Sequence, residues 1–322
     1  MKRIVFILVL VIVFKGLYAQ QKVTGGFPVN ITEAPWQVLV SYNGALEWGG
    51  GSIIAPNFIL TAKHCVAYAP NYLIPFPTSS VKVMAGITCK DEINSGNTFN
   101  VSNIILHPDP NVDVALLQLS SNIAYNNSRQ PINYWTAVDN TLYNAGNVVR
   151  VSGWGWLTPV GNDAANCLQA VDINIITNQQ AESMLGKTLY AYEVATAGVG
   201  NIRQGACYGD SGGPLTILAV NNEPILIGVV SWGPGDCTGN NTNSPSVYVR
   251  VSYIVDWIQT VTCITNFTNQ NVTTNKTITS CGDINVQDVK VKNNAKLELD
   301  AAGEVNINGD FEVESGSELE IK

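Results

Sequence analysis

The chain has 322 residues, 46% of them apolar and 13% charged, with a net charge of −8. That is apolar content enough for a sizeable core and more length than one ordinary domain needs. The negative balance, with no basic run, argues against a nucleic-acid partner.

Residues 1–19 read as a secretory signal. Met1-Lys2-Arg3 is the positive start, Ile4 to Phe14 the apolar stretch, and Leu17-Tyr18-Ala19 the cleavage end. The apolar run is short for a bilayer span and Lys15 interrupts it. The expected location is secreted or at the cell surface.

From Val23 to about Arg250 the pattern is short β-prone runs broken by turn residues: Gln37 to Ser41, Ser52 to Ile54, Val81 to Met84, Val148 to Val151, Leu168 to Ile176 and Pro224 to Val230. This spacing predicts an all-β architecture. Val251 to Val261 is the one good helical candidate, with Ile254, Trp257, Ile258 and Val261 on one face. Residues 263–283 are rich in Asn and Thr and read as a polar linker carrying sequons at Asn266, Asn271 and Asn275. Residues 284–322 alternate apolar and polar positions, as in Val289/Val291, Leu297/Leu299, Val305/Ile307, Phe311/Val313 and Leu319/Ile321, with turn pairs between them. They predict a small β module, with a short solenoid as one form of it.

The most informative stretch is 207–214, Cys-Tyr-Gly-Asp-Ser-Gly-Gly-Pro. A serine hydroxyl needs a neighbouring base to become a nucleophile, and the oxyanion it creates needs pre-aimed donors. Glycines around Ser211 let the backbone turn and approach a substrate closely. The chain has two histidines: His64 in Leu-Thr-Ala-Lys-His-Cys (60–65), and His107 in the turn-like Leu-His-Pro-Asp-Pro. Asp113 lies in Val-Asp-Val-Ala-Leu-Leu-Gln-Leu (112–119). A base titrating near neutrality is most often histidine, and the flanks favour His64 over His107.

The order His64, Asp113, Ser211, with Gly-Gly-Gly-Ser-Ile at 49–53, Ser-Gly-Trp-Gly at 152–155, Val-Ser-Trp-Gly at 230–233 and Pro-Ser-Val-Tyr at 245–248, resembles the trypsin/chymotrypsin family of serine endopeptidases from about Val23 to Thr262. The resemblance implies two packed six-stranded antiparallel barrels followed by a C-terminal helix. It implies Ser211 as nucleophile, His64 as base, Asp113 as orienting carboxylate, and the N–H groups of Gly209 and Ser211 as oxyanion hole. It further implies a zymogen with propeptide 20–22, cut after Lys22, whose new Val23 amine pairs with Asp210. Thr24, where the family has a second aliphatic residue, is a departure from the pattern.

The same resemblance implies that Gly205, Ala206, Gly233 and Ser246 line the primary pocket and that Ser231, Trp232 and Gly233 pair with the substrate backbone. No carboxylate stands at the pocket positions, so cleavage after medium or large apolar residues is expected rather than after Lys or Arg. Of seven cysteines, the resemblance pairs Cys207 with Cys237. Cys65 meets Gly49 where its usual partner would stand, so pairing with Cys89 or an unbridged thiol both stay open. Cys263 and Cys281 could close a loop, and Cys167 has no evident partner. No cofactor and no metal are implied.

Partners would be protein or peptide substrates and protein protease inhibitors, acting on a monomer. The tail resembles C-terminal appendages of exported Bacteroidetes-type proteins, which adds cell-surface or secretion machinery. A catalytically silent adhesion or binding protein on the same fold is the competing reading.

Overall fold

The computed structural model describes residues 26–136, 141–157, 164–198, 204–219, 221–234, 244–280 and 282–322, with backbone alone for 46–48. Two β-barrels and a parallel β stack account for nearly all of its regular structure.

The first barrel is built from β1 (Gln37–Tyr42), β2 (Ala45–Ala55), β3 (Phe58–Thr61), β4 (Val81–Ala85), β5 (Thr98–Leu106) and β6 (Ala115–Leu119). It closes in the order β1-β2-β3-β6-β5-β4. Its inward residues, among them Val38, Val40, Ile53, Ile59, Val83 and Leu117, are buried in one apolar cluster. Burying a side chain of that size contributes about 1.5–3 kcal/mol against leaving it in water.

The second barrel uses β7 (Val148–Gly153), β8 (Gln169–Ile176), β9 (Glu193–Ala197), β10 (Pro214–Leu218), β11 (Pro224–Trp232) and β12 (Ser246–Arg250). Its strands run β8-β9-β12-β11-β10-β7, and β7 closes back onto β8. Val151, Ile173, Val194, Leu215, Ile227 and Tyr248 fill it. The expected helix is present as Val251–Thr262 (α2), with Ile254 and Ile258 buried. The sequence reading missed a second helix, Asn178–Leu185 (α1). It is short and weakly apolar, but Thr177 and Gln180 form a capping box at its start.

A disulfide joins Cys89 to Cys167 across 78 residues and so links the two barrels. This corrects the reading of Cys167 as partnerless and removes Cys89 as a bridge for Cys65. Cys65 is a buried thiol. A Cβ on Gly49 would come 2.7 Å from its sulfur, so the glycine faces it as the resemblance implied. Cys207 and Cys263 are disulfide-bonded, while positions 237 and 281 lie outside the described residues.

The stretch read as a linker is instead part of the tail's β structure. β13 (Thr265–Val272) and β14 (Lys276–Ser280) pair in parallel with β15 (Ile284–Val291) and β16 (Lys296–Ala301). These in turn pair with β17 (Val305–Ile307), β18 (Phe311–Val313) and β19 (Glu318–Ile321). The result is three stacked rungs. Ile284, Val286, Val289, Val291, Leu297 and Leu299 form the core of the middle one. Asn266 is buried and accepts from Asn285, which accepts from Asn306, an amide ladder along one face. The stack rests on the second barrel through Asn133 with Gln287, Gln287 with Glu223, and Asn221 with Asp288. Among the described residues, no helix is long and apolar enough to cross a membrane.

Candidate active site

The site lies where the two barrels meet. β3 leaves the first barrel at Thr61, and the chain then winds into a single turn of 3-10 helix, Lys63–Cys65. That turn presents His64 to Asp113, which stands between the buried Val112 and Val114 just before β6. The His64 backbone N–H donates to Asp113 Oδ1 at 3.0 Å, and His64 Nδ1 lies 2.7 Å from Asp113 Oδ2. A carboxylate only accepts, so Nδ1 carries a proton, and in the neutral ring Nε2 keeps its lone pair.

Burial works against the His64 imidazolium. The Cys65 sulfur and the Asp113 carboxylate work for it and outweigh burial, leaving the pKa well above 6.5. A third group reaches the same carboxylate: Ser231 Oγ donates to Asp113 Oδ2 at 2.6 Å. The sequence reading gave Ser231 a backbone role and missed this bond, which no local pattern reveals. His107 faces elsewhere. Its ring packs edge-on against Trp257 of α2 at 4.9 Å, and its Nδ1 accepts from the Asp109 N–H.

Ser211 sits on a turn pressed against the His64 segment. Its carbonyl accepts from Gly50 N–H at 2.7 Å and from the Cys65 thiol at 3.5 Å. Gly212, at φ +80°, has no room for a Cβ, which would come 2.3 Å from Thr61 Oγ1 and 2.8 Å from Ala62 N. Gly209 also takes a positive φ, +90°, where a side chain would be strained.

Asp210 is 1% exposed. It accepts from Gly155 N–H at 2.8 Å and Cys207 N–H at 2.9 Å. Burial pushes its pKa up to about 6, against the two N–H groups and the charge of Lys90, which pull it down. Gly153 and Gly155 flank it so closely that a Cβ on either would strike the carboxylate. Lys22 and Val23 lie outside the described residues.

Three of the four positions expected at a primary pocket, Gly205, Gly233 and Ser246, lie together. Gly205, at φ +151°, would bring a Cβ to 2.8 Å from Ser246 Oγ, and one on Gly233 would touch the Pro245 carbonyl at 3.4 Å. Ala206 and Ser246 are buried, above the fully buried Tyr248, whose hydroxyl accepts from Thr196 Oγ1 at 3.1 Å. None of these side chains is a carboxylate.

Beyond His64 opens a cavity of about 720 Å³ lined by Tyr72, Pro110, Lys187, Tyr190 and Trp232. Trp232 is held by its Nε1–H donating to Glu193 Oε1 at 2.7 Å, with Lys187 Nζ 5.3 Å from its ring. Among the described residues no group of His, Cys, Asp and Glu side chains could hold a metal ion.

Two closed antiparallel barrels with a half-buried His–Asp pair and a glycine-flanked serine at their junction define a chymotrypsin-like serine endopeptidase. The chain belongs to the trypsin family: the model of the family described as Trypsin matches residues 23–258. It is 34% identical over 247 residues to "Trypsin-1" of Astacus astacus, covering 74% of this chain and 98% of that protein. It is 27% identical over 254 residues to "Trypsin 5G1" of Aedes aegypti, covering 77% of this chain and 88% of that protein.

Proposed function

We propose that the chain is a secreted endopeptidase that cuts protein substrates through an acyl-enzyme, with Ser211, His64 and Asp113 as its triad. The observation that carries this reading is the double contact of His64 with Asp113, which fixes the imidazole tautomer with Nε2 free to accept. Ser211 Oγ forms a bond to the scissile carbonyl carbon while its proton passes to His64 Nε2 and the carbonyl oxygen takes up negative charge. The N–H groups of Gly209 and Ser211 stabilise that oxyanion. Collapse breaks the C–N bond, and the proton on His64 goes to the leaving amine. Water then repeats the sequence and frees Ser211. Asp113 stabilises the imidazolium, and Ser231 holds the carboxylate in place.

The chain is made as a zymogen. Cleavage after Lys22 frees the Val23 amine to neutralise Asp210, a carboxylate whose burial already disfavours its charge. Cys207–Cys237 braces the primary pocket and Cys263–Cys281 the entry to the tail. The pocket formed by Gly205, Ala206, Gly233 and Ser246 favours medium or large apolar side chains. The two relatives are named trypsins, but no side chain at these four positions would neutralise a lysine or arginine. Ser231, Trp232 and Gly233 present the strand edge to which substrate backbone adds. Protein inhibitors would bind along the same edge. The tail serves surface attachment or secretion.

The test is hydrolysis of a peptide library by the chain cut at Lys22. Turnover after apolar residues, lost in Ser211→Ala, supports the reading. Cleavage mainly after Lys or Arg would overturn the specificity. No turnover by the cut wild type would favour a silent binding protein.

A further inference from the structure

The cavity beside His64 has a wall that the proposed triad does not use. Tyr72, Tyr190 and Trp232 bring aromatic rings to it from three separate segments, and Lys187 stands among them. Its volume of about 720 Å³ lies in the range of clefts that hold a small ligand. Side chains of a substrate lying along β11 therefore have room there.

Four charged groups other than His64 line the cavity: Lys63, Asp113, Glu193 and Lys187. Three of them are already engaged. Lys63 is buried, and its Nζ donates to the Asp109 carbonyl. Asp113 accepts from His64 and Ser231. Glu193 is buried, its Oε1 accepting from Trp232 Nε1–H and its Oε2 from the Tyr190 N–H. Lys187 differs. It is exposed, and among the described residues it has neither an ion pair nor a hydrogen bond. Its ammonium lies 5.3 Å from the centre of the Trp232 ring, whose negative face attracts a cation.

The backbone around Lys187 is anchored on both sides. α1 ends at Gly186, in the left-handed region, and the Gly186 N–H donates to the Glu182 carbonyl. The Leu189 N–H donates to Glu182 Oε1, and the Leu189 side chain is buried. A fixed turn thus presents the ammonium at the cavity. On β11, Ser231 meets Asp113, Trp232 lines the cavity and Gly233 stands beside Ser246. A substrate strand added along this edge carries side chains across Trp232 as well as into the primary pocket.

Resting on the protease reading above, we propose that Lys187 is a specificity-determining residue. It selects substrates with an aspartate or glutamate among the three residues preceding the one in the primary pocket. The carboxylate pairs with the Lys187 ammonium while its stem packs on Trp232 and Tyr190. A lysine or arginine there meets like charge, and a neutral side chain gains packing alone.

The test uses the full-length protein cut after Lys22. Internally quenched peptides share the residue best cleaved in the library and carry Glu, Gln or Lys at each of the three preceding positions in turn. At one position kcat/KM for Glu should exceed that for Gln by about threefold and that for Lys by about tenfold, the scale of a partly exposed ion pair and its reversal. The effect should lie chiefly in KM and shrink as salt is added. Ratios are taken within each enzyme, so a general change in activity cancels. Lys187→Gln should bring the Glu-to-Gln ratio to unity, and Lys187→Glu should invert the Glu-to-Lys ratio. Equal turnover of the Glu and Gln peptides at all three positions, or a preference that persists in Lys187→Gln, would overturn the proposal while turnover of the Gln peptides still supports the protease reading. No turnover of any peptide would overturn both.

Discussion

Lys63 Nζ donates to the Asp109 carbonyl at 2.8 Å. Two consecutive residues thus reach across to one loop, Lys63 to Asp109 and His64 to Asp113. The lysine is 1% exposed; burial lowers its pKa, while the charges of Asp113 and Asp109 hold it up. It places a positive charge behind the carboxylate that orients His64.

Lys63→Met should therefore leave a folded protein with about 1.5–3 kcal/mol less stability, the order of one lost hydrogen bond to a charged group. The turnover number should fall while KM changes little, because the loop carrying Asp113 loses a tether. Removing a cation near Asp113 also leaves the imidazolium better stabilised, so the ascending limb of the pH profile should move to higher pH. Lys63→Arg should keep the limb in place. Urea melts and kcat/KM against pH read both effects.

With His64 as the base proposed above, its pKa would set the acid side of activity. A base must be neutral to act, so kcat/KM should rise along a limb centred above 6.5. The sign for stability is opposite. A histidine with a raised folded-state pKa contributes stability that is full below 6.5 and lost as pH rises through the raised value. Asp113→Asn should reduce kcat by about 10⁴-fold with the fold retained. A limb at or below 6.5 would show that the Cys65 sulfur and the Asp113 carboxylate do not outweigh burial.

Asp210 titrates in the other sense. Its folded pKa of about 6 lies above the ordinary 3.8, so its contribution to the stability of the uncut chain is present below 3.8 and lost as pH rises through about 6. Asp210→Asn should flatten that part of the stability profile in the uncut chain. After cleavage at Lys22 the same variant should be inactive, because the Val23 amine has no carboxylate to meet. Chemical denaturation of the uncut protein from below 3.8 to above about 6, a range that brackets both pKa values, paired with activity of the cut one, checks both halves.

Gly49→Cys should form a disulfide with Cys65, whose sulfur lies 2.7 Å from where that Cβ would stand. A loop of this size is worth about 3 kcal/mol in chain entropy. The same Cβ comes 2.7 Å from the Ser211 carbonyl, so the net gain should be smaller. Loss of the Cys65 thiol on Ellman titration with a raised melting temperature is the expected result.

Motifs made the first barrel, the second barrel and the His64–Asp113 pair legible, because residues 60–65 and 112–119 carry both apolar strand patterns and the reacting groups. The bond from Ser231 to Asp113 was not legible, since it joins positions 118 apart through a hydroxyl that also suits a backbone strand. The strands Thr265–Val272 and Lys276–Ser280 escaped for a related reason. Asn269, Asn271, Thr277 and Thr279 are exposed and Asn266 joins a ladder, and their pairing partners lie about twenty residues on, so composition read them as solvent-loving chain. Cys89–Cys167 shows the same limit: spacing alone cannot pair cysteines drawn from two different barrels.

The most direct test is covalent. The chain cut after Lys22 is treated with a fluorophosphonate and the adduct is mapped by mass spectrometry. One phosphonyl group on Ser211, absent in His64→Ala and in the uncut chain, is the predicted result. An unlabelled cut protein, or an adduct on any other residue, would contradict the account.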